Sequence, residues 1–254
     1  MSSTSAIIDK PSANRSIRSS DRYFFSGMAL LLLGTVLLGF AKTYFLAGVF
    51  HAPPLPDWII HVHGAAFTLW IVLLIVQIAL VSAHRTDIHR RLGLAGFGLA
   101  VLMVILGVMA ATDLLRRGEA ALGVDAKTFY AGTLGDMFAF AVLVFFAYRY
   151  RGNSAAHKRL IVIATITLMQ AAINRWPFAI IDRLPIAIPL IAYSFLIPLF
   201  AYDFWSLRKI NPATLWGGLF MVVVQELEFP IGRTMAWQNF ASWALTHAKS
   251  LHGN

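Results

Sequence analysis

The residues most able to do chemistry are ionisable side chains set inside long apolar runs, because such groups are costly in hydrocarbon and mark function by default. Lys42 closes the first such run, and His61 and His63 open the second. Asp136 lies early in the fourth, Asn174 and Arg175 lie late in the fifth, and Gln225, Glu226 and Glu228 lie late in the seventh. If consecutive runs cross a membrane in alternating directions, all of these positions fall in one leaflet, and within the runs the other leaflet holds little besides Gln77. Opposite charges that meet at low dielectric shift one another's protonation. That suits a proton relay, a metal site or an anion-binding pocket. The competing reading is interfacial snorkelling with structural ion pairs, such as Lys42–Asp136 or Arg175–Glu226.

Two narrower chemistries share these residues. A metal site needs three or four converging ligands, and His61, His63, Asp136 and Glu226 are the candidates. A b-type haem needs two histidines on different helices. His89 and His157 each begin a helix at the opposite leaflet, in like surroundings. Their Arg and Lys neighbours also fit plain anchoring to anionic lipid headgroups. The chain contains no cysteine, which excludes disulfides, thiolate metal sites, iron–sulfur clusters and covalent c-type haem.

Helical phase says which groups can share an interior. Thr35, Gly39 and Lys42 form one stripe, and Thr167, Gln170 and Asn174 form another. His61 and His63 stand about 200° apart around their helix. His63 shares a face with Trp70 and Gln77, and His61 with Gly64, Ala65 and Thr68, so both cannot face the bundle. Glu226 and Glu228 pose the same choice, and Gln225 lines up with Glu228.

The elements that position these residues are apolar helices. Of 254 residues, 58% are hydrophobic and 13% charged, against about 25% charged in soluble domains. Uncharged apolar runs of roughly 18 residues or more are membrane spans. Seven are expected: Tyr23–Leu46, Asp57–Ala83, Leu92–Thr112, Thr128–Tyr148, Leu160–Ile181, Pro185–Trp205 and Leu215–Ile231. The expected architecture is therefore an all-α polytopic bundle of seven transmembrane helices over residues 23–232. Residues 1–22 read as a basic, disordered cytoplasmic tail without a cleavable signal. Residues 233–254 read as an amphipathic helix on the membrane surface, with Phe240, Trp243, His247 and Leu251 on one face.

The net charge of +9 tempts a nucleic-acid reading, but the basic residues sit in short turns where orientation signals belong. Arg85, Arg90, Arg91, Arg149, Arg151, Lys158, Arg159, Arg208 and Lys209 fall on the side of the N-terminal tail. That side is expected to be cytoplasmic and the C-terminus outside, in a bacterial inner membrane. The Arg116–Arg117 pair is the exception, lying on the outer side. IHRRLGLAGF at Ile88–Phe97 faintly echoes AHKRLIVIAT at Ala156–Thr165, with Asp87 and Ser154 near helix-capping positions.

The run H-x(13)-Q-x(7)-R-x(3)-H-R-x-L-G, from His63 through Gln77, Arg85, His89, Arg90 and Leu92 to Gly93, resembles a recurring pattern in uncharacterised bacterial multi-span membrane proteins. FAKTYFLAG at Phe40–Gly48 and AAHKRL at Ala155–Leu160 extend the likeness. That resemblance carries no assigned activity. Helix count and histidines alone are loosely similar to cytochrome b561-type bundles. The layout also resembles membrane hydrolases with three histidines and an aspartate around zinc, but span seven here has glutamates and no histidine.

The sequence thus points to an integral membrane protein with an outer-leaflet polar pocket that binds a small molecule, proton or ion. The alternatives are a b-haem electron-transfer protein and a metal-dependent membrane hydrolase. The expected partners are the lipid bilayer and anionic headgroups at the cytoplasmic face, and not nucleic acid. Whether catalysis occurs stays open.

Overall fold

The computed structural model describes residues 12–55, 57–121 and 123–251, with side chains from 20 to 248. Within these residues the chain is helical and has no strand. The elements are α1 (Ser12–Phe40), a π-helical turn (Ala41–Phe45), α2 (Trp58–Ser82), α3 (Thr86–Arg117), α4 (Ala126–Arg149), α5 (Ser154–Thr167) and α6 (Met169–Ile173). They continue as α7 (Ala179–Arg183), α8 (Ala187–Ser194), α9 (Leu196–Leu207), α10 (Pro212–Gly232) and α11 (Met235–Leu251). Seven helical segments are long and apolar enough to cross a membrane, counting α1 with its π turn, α5 with α6, and α8 with α9 as single spans.

Helix starts follow from capping. Asp57 accepts from the Ile59 N–H, Asn153 from Ala155 and Ala156, and Asn211 from Ala213, with Pro212 at the first helical position. Gly118, at φ +70°, ends α3 in the left-handed conformation that glycine adopts without strain. Some boundaries differ from expectation. The first helix begins at Ser12, inside the stretch read as a disordered tail, and residues 1–11 of that stretch lie outside the described residues. The caps of α3 and α5 fall at Arg85 and Asn153 rather than at Asp87 and Ser154. α3 runs on to Arg117, because Asp113 is buried and binds Arg116 at 2.7 Å and Arg117 at 2.9 Å. The polar stretch that seemed to break the helix is held together by these ion pairs, with Asp57 and Glu119 supplying further negative charge to Arg116 and Arg117.

The α5–α6 span runs through the middle of the bundle and is mostly buried. α4 packs against α3, α5, α10 and α11, and α1 packs on α2 and α6. Trp70 of α2 joins the centre by donating from Nε1 to Thr165 Oγ1 at 3.1 Å and meeting the Phe140 ring edge-on at 5.3 Å. The sixth span breaks at Phe195, three residues before Pro198, which cannot donate to the preceding turn. α11 lays Ala241 and Ala244 against Ala111, Leu115 and Tyr130, and leaves Phe240 and Trp243 exposed on its outer side.

The face that carries the start of α1, termed here the N-terminal face, is tied by a buried ion pair. Arg159 of α5 donates from Nε to Asp203 Oδ1 of α9 at 2.7 Å, and a second guanidinium nitrogen also contacts that oxygen. Asp203 Oδ2 accepts from Thr214 Oγ1 at 2.5 Å and from the Asn211 N–H at 3.0 Å. Beside it, Asp21 of α1 takes Lys158 at 2.6 Å and the Tyr202 hydroxyl at 2.7 Å.

Removing one partner of a buried pair strands the other's charge. Asp203→Ala is therefore expected to lose about 3–5 kcal/mol of stability, and Arg159→Met with Asp203→Leu to recover most of it. Thermal unfolding in detergent reads both. On the other face, Asp125 caps α4. The Thr128 hydroxyl and the Thr128 and Lys127 N–H groups hold its carboxyl below the usual carboxylate range. A group lowered in the folded state stabilises at neutral pH and loses that contribution as pH falls through its folded value. Asp125→Ala is expected to cost about 1 kcal/mol near pH 7, and the gap to wild type to close on acidification, measured by melts across pH.

Candidate functional sites

The polar residues expected in one outer-leaflet pocket divide into three groups. Lys42 lies in the π turn, exposed, with its ammonium 5.9 Å from the Phe50 ring centroid. His61 is also exposed, on a shallow hollow of about 320 Å3 shared with Tyr44 and His51. Arg175 donates to the Ala171 carbonyl at 2.6 Å and covers the Phe40 ring at 4.9 Å, with Asn174 half-buried beside it. Lys42 and Arg175 thus bind backbone or aromatic faces, and the ion pairs Lys42–Asp136 and Arg175–Glu226 do not form.

His63 turns inward and stacks on Phe67 at 4.1 Å, with its Nδ1 buried and unpartnered. The structure thereby separates the two histidines as their helical phase requires. It separates the glutamates too: Glu228 is buried, while Glu226 is exposed and accepts from the Tyr193 hydroxyl of α8 at 2.9 Å.

Three of the expected residues meet between α4 and α10. Gln225 donates from Nε2 to Asp136 Oδ1 at 2.6 Å and to the Thr167 carbonyl at 3.1 Å. Thr167 is the last residue of α5, where that helix breaks before α6. Glu228 lies in a notch that two glycines cut into α4. A Cβ on Gly135 would stand 2.5 Å from Glu228 Cγ and 2.7 Å from its Cδ, and one on Gly132 would stand 3.5 Å from Oε2. Gln225 Oε1 and Glu228 Oε1 are buried without a partner. Among the described residues no group of three His, Asp or Glu side chains is arranged to hold a metal ion, so the set His61, His63, Asp136 and Glu226 does not converge.

A second site lies toward the N-terminal face. A cavity of about 760 Å3 opens among α2, α3, the end of α4 and the start of α5, and both His89 and His157 line it. Its deep wall is apolar, with Trp70, Leu74, Phe97 and Ile161, and Arg90 and Arg151 stand among its lining residues near the helix ends. His157 donates from Nδ1 to the Ala147 carbonyl at 2.9 Å, which fixes the ring and leaves Nε2 as its free nitrogen. With its amide oriented by the hydrogen-bond network, Gln77 donates to His89 Nδ1 at 2.6 Å and to the His89 carbonyl at 3.2 Å, and accepts from the Gly93 N–H at 2.8 Å.

Sequence reading missed Tyr193 and the Arg159–Asp203 pair. Asp203 carries a usable signal, since it is the single acidic residue in the sixth apolar run. Tyr193 carries none, because its partner comes from another helix. No protein-family model matches the chain, and neither the curated proteins nor the solved structures offer a match.

The notch has a direct consequence. Gly135→Ala drives a methyl group into Glu228 and is expected to cost about 1–3 kcal/mol. Gly34→Ala, with nothing within 4 Å of the added carbon, is expected to be neutral or stabilising. Paired thermal melts in detergent test the contrast.

Proposed function

We propose that the protein is a b-type haem membrane protein in which His89 and His157 would hold the iron. The observation that carries this reading is that these two histidines, on different helices, line one cavity of about 760 Å3. That size falls within the range of about 300–1,000 Å3 usual for cofactor pockets. Two imidazoles are too few for a tetrahedral zinc site, but they suffice for an iron whose four equatorial positions are filled by a macrocycle. A haem held there supplies one-electron redox chemistry.

The chain's own residues do the positioning. The Ala147 carbonyl keeps the proton on His157 Nδ1 and so leaves Nε2 as the coordinating nitrogen. His89 would offer Nε2 only with its proton on Nδ1, whereas Gln77 here donates to that nitrogen, so the Gln77 amide would have to reverse for its oxygen to accept from Nδ1–H when the iron is held. Trp70, Leu74, Phe97 and Ile161 give the ring an apolar slot, and Arg90 and Arg151 suit the two carboxylates of a haem edge. On the same reading the N-terminal face, with its exposed Arg90, Arg91, Arg149, Arg151, Arg208 and Lys209, is cytoplasmic, lies against anionic headgroups, and belongs to a plasma membrane.

The full-length protein, expressed with a haem precursor and purified in detergent, is expected to show the Soret band of a six-coordinate low-spin haem. His89→Ala and His157→Ala are each expected to abolish that spectrum, and Gln77→Leu to weaken haem affinity roughly ten- to a hundredfold. A wild-type protein without a Soret band, or both histidine variants retaining it, defeats the proposal.

A further inference from the structure

We infer that Asp136 and Glu228 form a second functional site, one that takes up and releases a proton in the half of the membrane nearer the C-terminal helix. It is separate from the histidine cavity, and no residue is common to both. Glu228 of α10 occupies the notch at Gly132 and Gly135 of α4, and Asp136, the residue after Gly135, lies within electrostatic reach of it. Neither makes an ion pair with any Lys, Arg or His among the described residues. Two negative charges at this depth need a compensating positive charge.

The hydrogen bonds say which. Glu228 Oε1 and Gln225 Oε1 are both buried without partners, and their residues are only 8% and 6% exposed. Both orphans are acceptors. Gln225 has already committed its Nε2 to Asp136 and to the Thr167 carbonyl. What the site lacks is therefore a donor, and a proton bound to a carboxylate oxygen is one. A metal ion asks for more oxygens than these side chains bring together.

The surrounding groups leave the proton to this pair. α10 contributes the exposed Glu226, and α8 contributes Tyr193, whose hydroxyl donates to Glu226 and lies within electrostatic reach of Glu228 and Asp136. Those two residues mark a way from the rim to the pair. The charged groups of the neighbouring helices are engaged elsewhere. On α3, Asp113 binds Arg116 and Arg117, and on α4, Lys127 donates to Ser242 of α11. Arg159 of α5 and Asp203 of α9 hold each other, and Arg233, beyond α10, is exposed. Among the described residues no cation pairs with either carboxylate.

Infrared difference spectra of the full-length protein in nanodiscs, taken across a pH titration, test the inference. The expected result is a protonated-carboxyl stretch that shifts in D2O and is lost from both Asp136→Asn and Glu228→Gln. Tyr193→Phe is expected to keep the band but slow its response to a pH jump. The inference is overturned if wild type shows no such band, or if both variants retain it unchanged. It is also overturned if replacing choline chloride with sodium chloride removes the band, which would make the occupant a sodium ion. Should Glu228→Gln fail to fold, Asp136→Asn alone decides. Haem content does not enter this measurement, so loss of the haem proposal leaves it standing.

Discussion

Inside hydrocarbon a polar group finds its partner within the protein or goes without. That constraint shapes this bundle. It explains why Trp70 reaches across to the Thr165 hydroxyl, and why the carbonyl freed where α5 breaks is met by the amide of Gln225. It explains why Arg159 is sealed against Asp203, with the second carboxylate oxygen shared between the Thr214 hydroxyl and the Asn211 N–H. A half-satisfied version of that ion pair would be worse than an apolar contact. The places where the rule is not met then become informative. Orphaned buried atoms occur at His63, Gln225 and Glu228, and two of the three belong to one cluster.

The close approach of α4 and α10 has a similar logic. In lipid the apolar effect does not drive helices together, so small residues that let backbones and side chains interdigitate do more of the work. Gly132 and Gly135 serve Glu228 in this way, and Gly217 admits Ile163 and Leu160 from α5. Gly39 does the same on α1, where an added Cβ would collide with the Ala172 carbonyl of α6. The glycines thus set helix separation and make room for the carboxylate that helical phase turns inward.

The architecture was legible because hydropathy and length are read residue by residue: seven apolar runs gave seven spans. Phase was legible too, and it separated His61 from His63 and Glu226 from Glu228 as expected. Pairing was not, because it depends on which helices become neighbours. Lys42, Asp136 and Arg175 share a depth, yet Lys42 and Arg175 rest on aromatic rings at the periphery while Asp136 faces α10. Depth is a one-dimensional quantity that the sequence carries, and azimuth around the bundle is not. The same gap explains the α3 boundary, where a stretch dense in charge looks like a loop until Asp113 is seen to pair with two arginines one turn on.

The echo between α3 and α5 shows how far a repeated motif can be trusted. Thr86 and Ser154 begin their helices, so His89 and His157 hold the same position, three residues on. Both rings line the same cavity, and both have Nδ1 occupied from outside their own helix, by Gln77 of α2 and by the Ala147 carbonyl of α4. The basic residues that follow do not match. Arg90 and Arg91 are exposed, whereas Lys158 pairs with Asp21 and Arg159 is buried against Asp203. The difference follows from placement, since α5 is enclosed on most sides and α3 presents one flank outward. A histidine at that position can face inward in either setting. An arginine two residues later points about 200° away around the helix, so on α3 it meets the outside, and on α5 it meets another helix and must find an acid there.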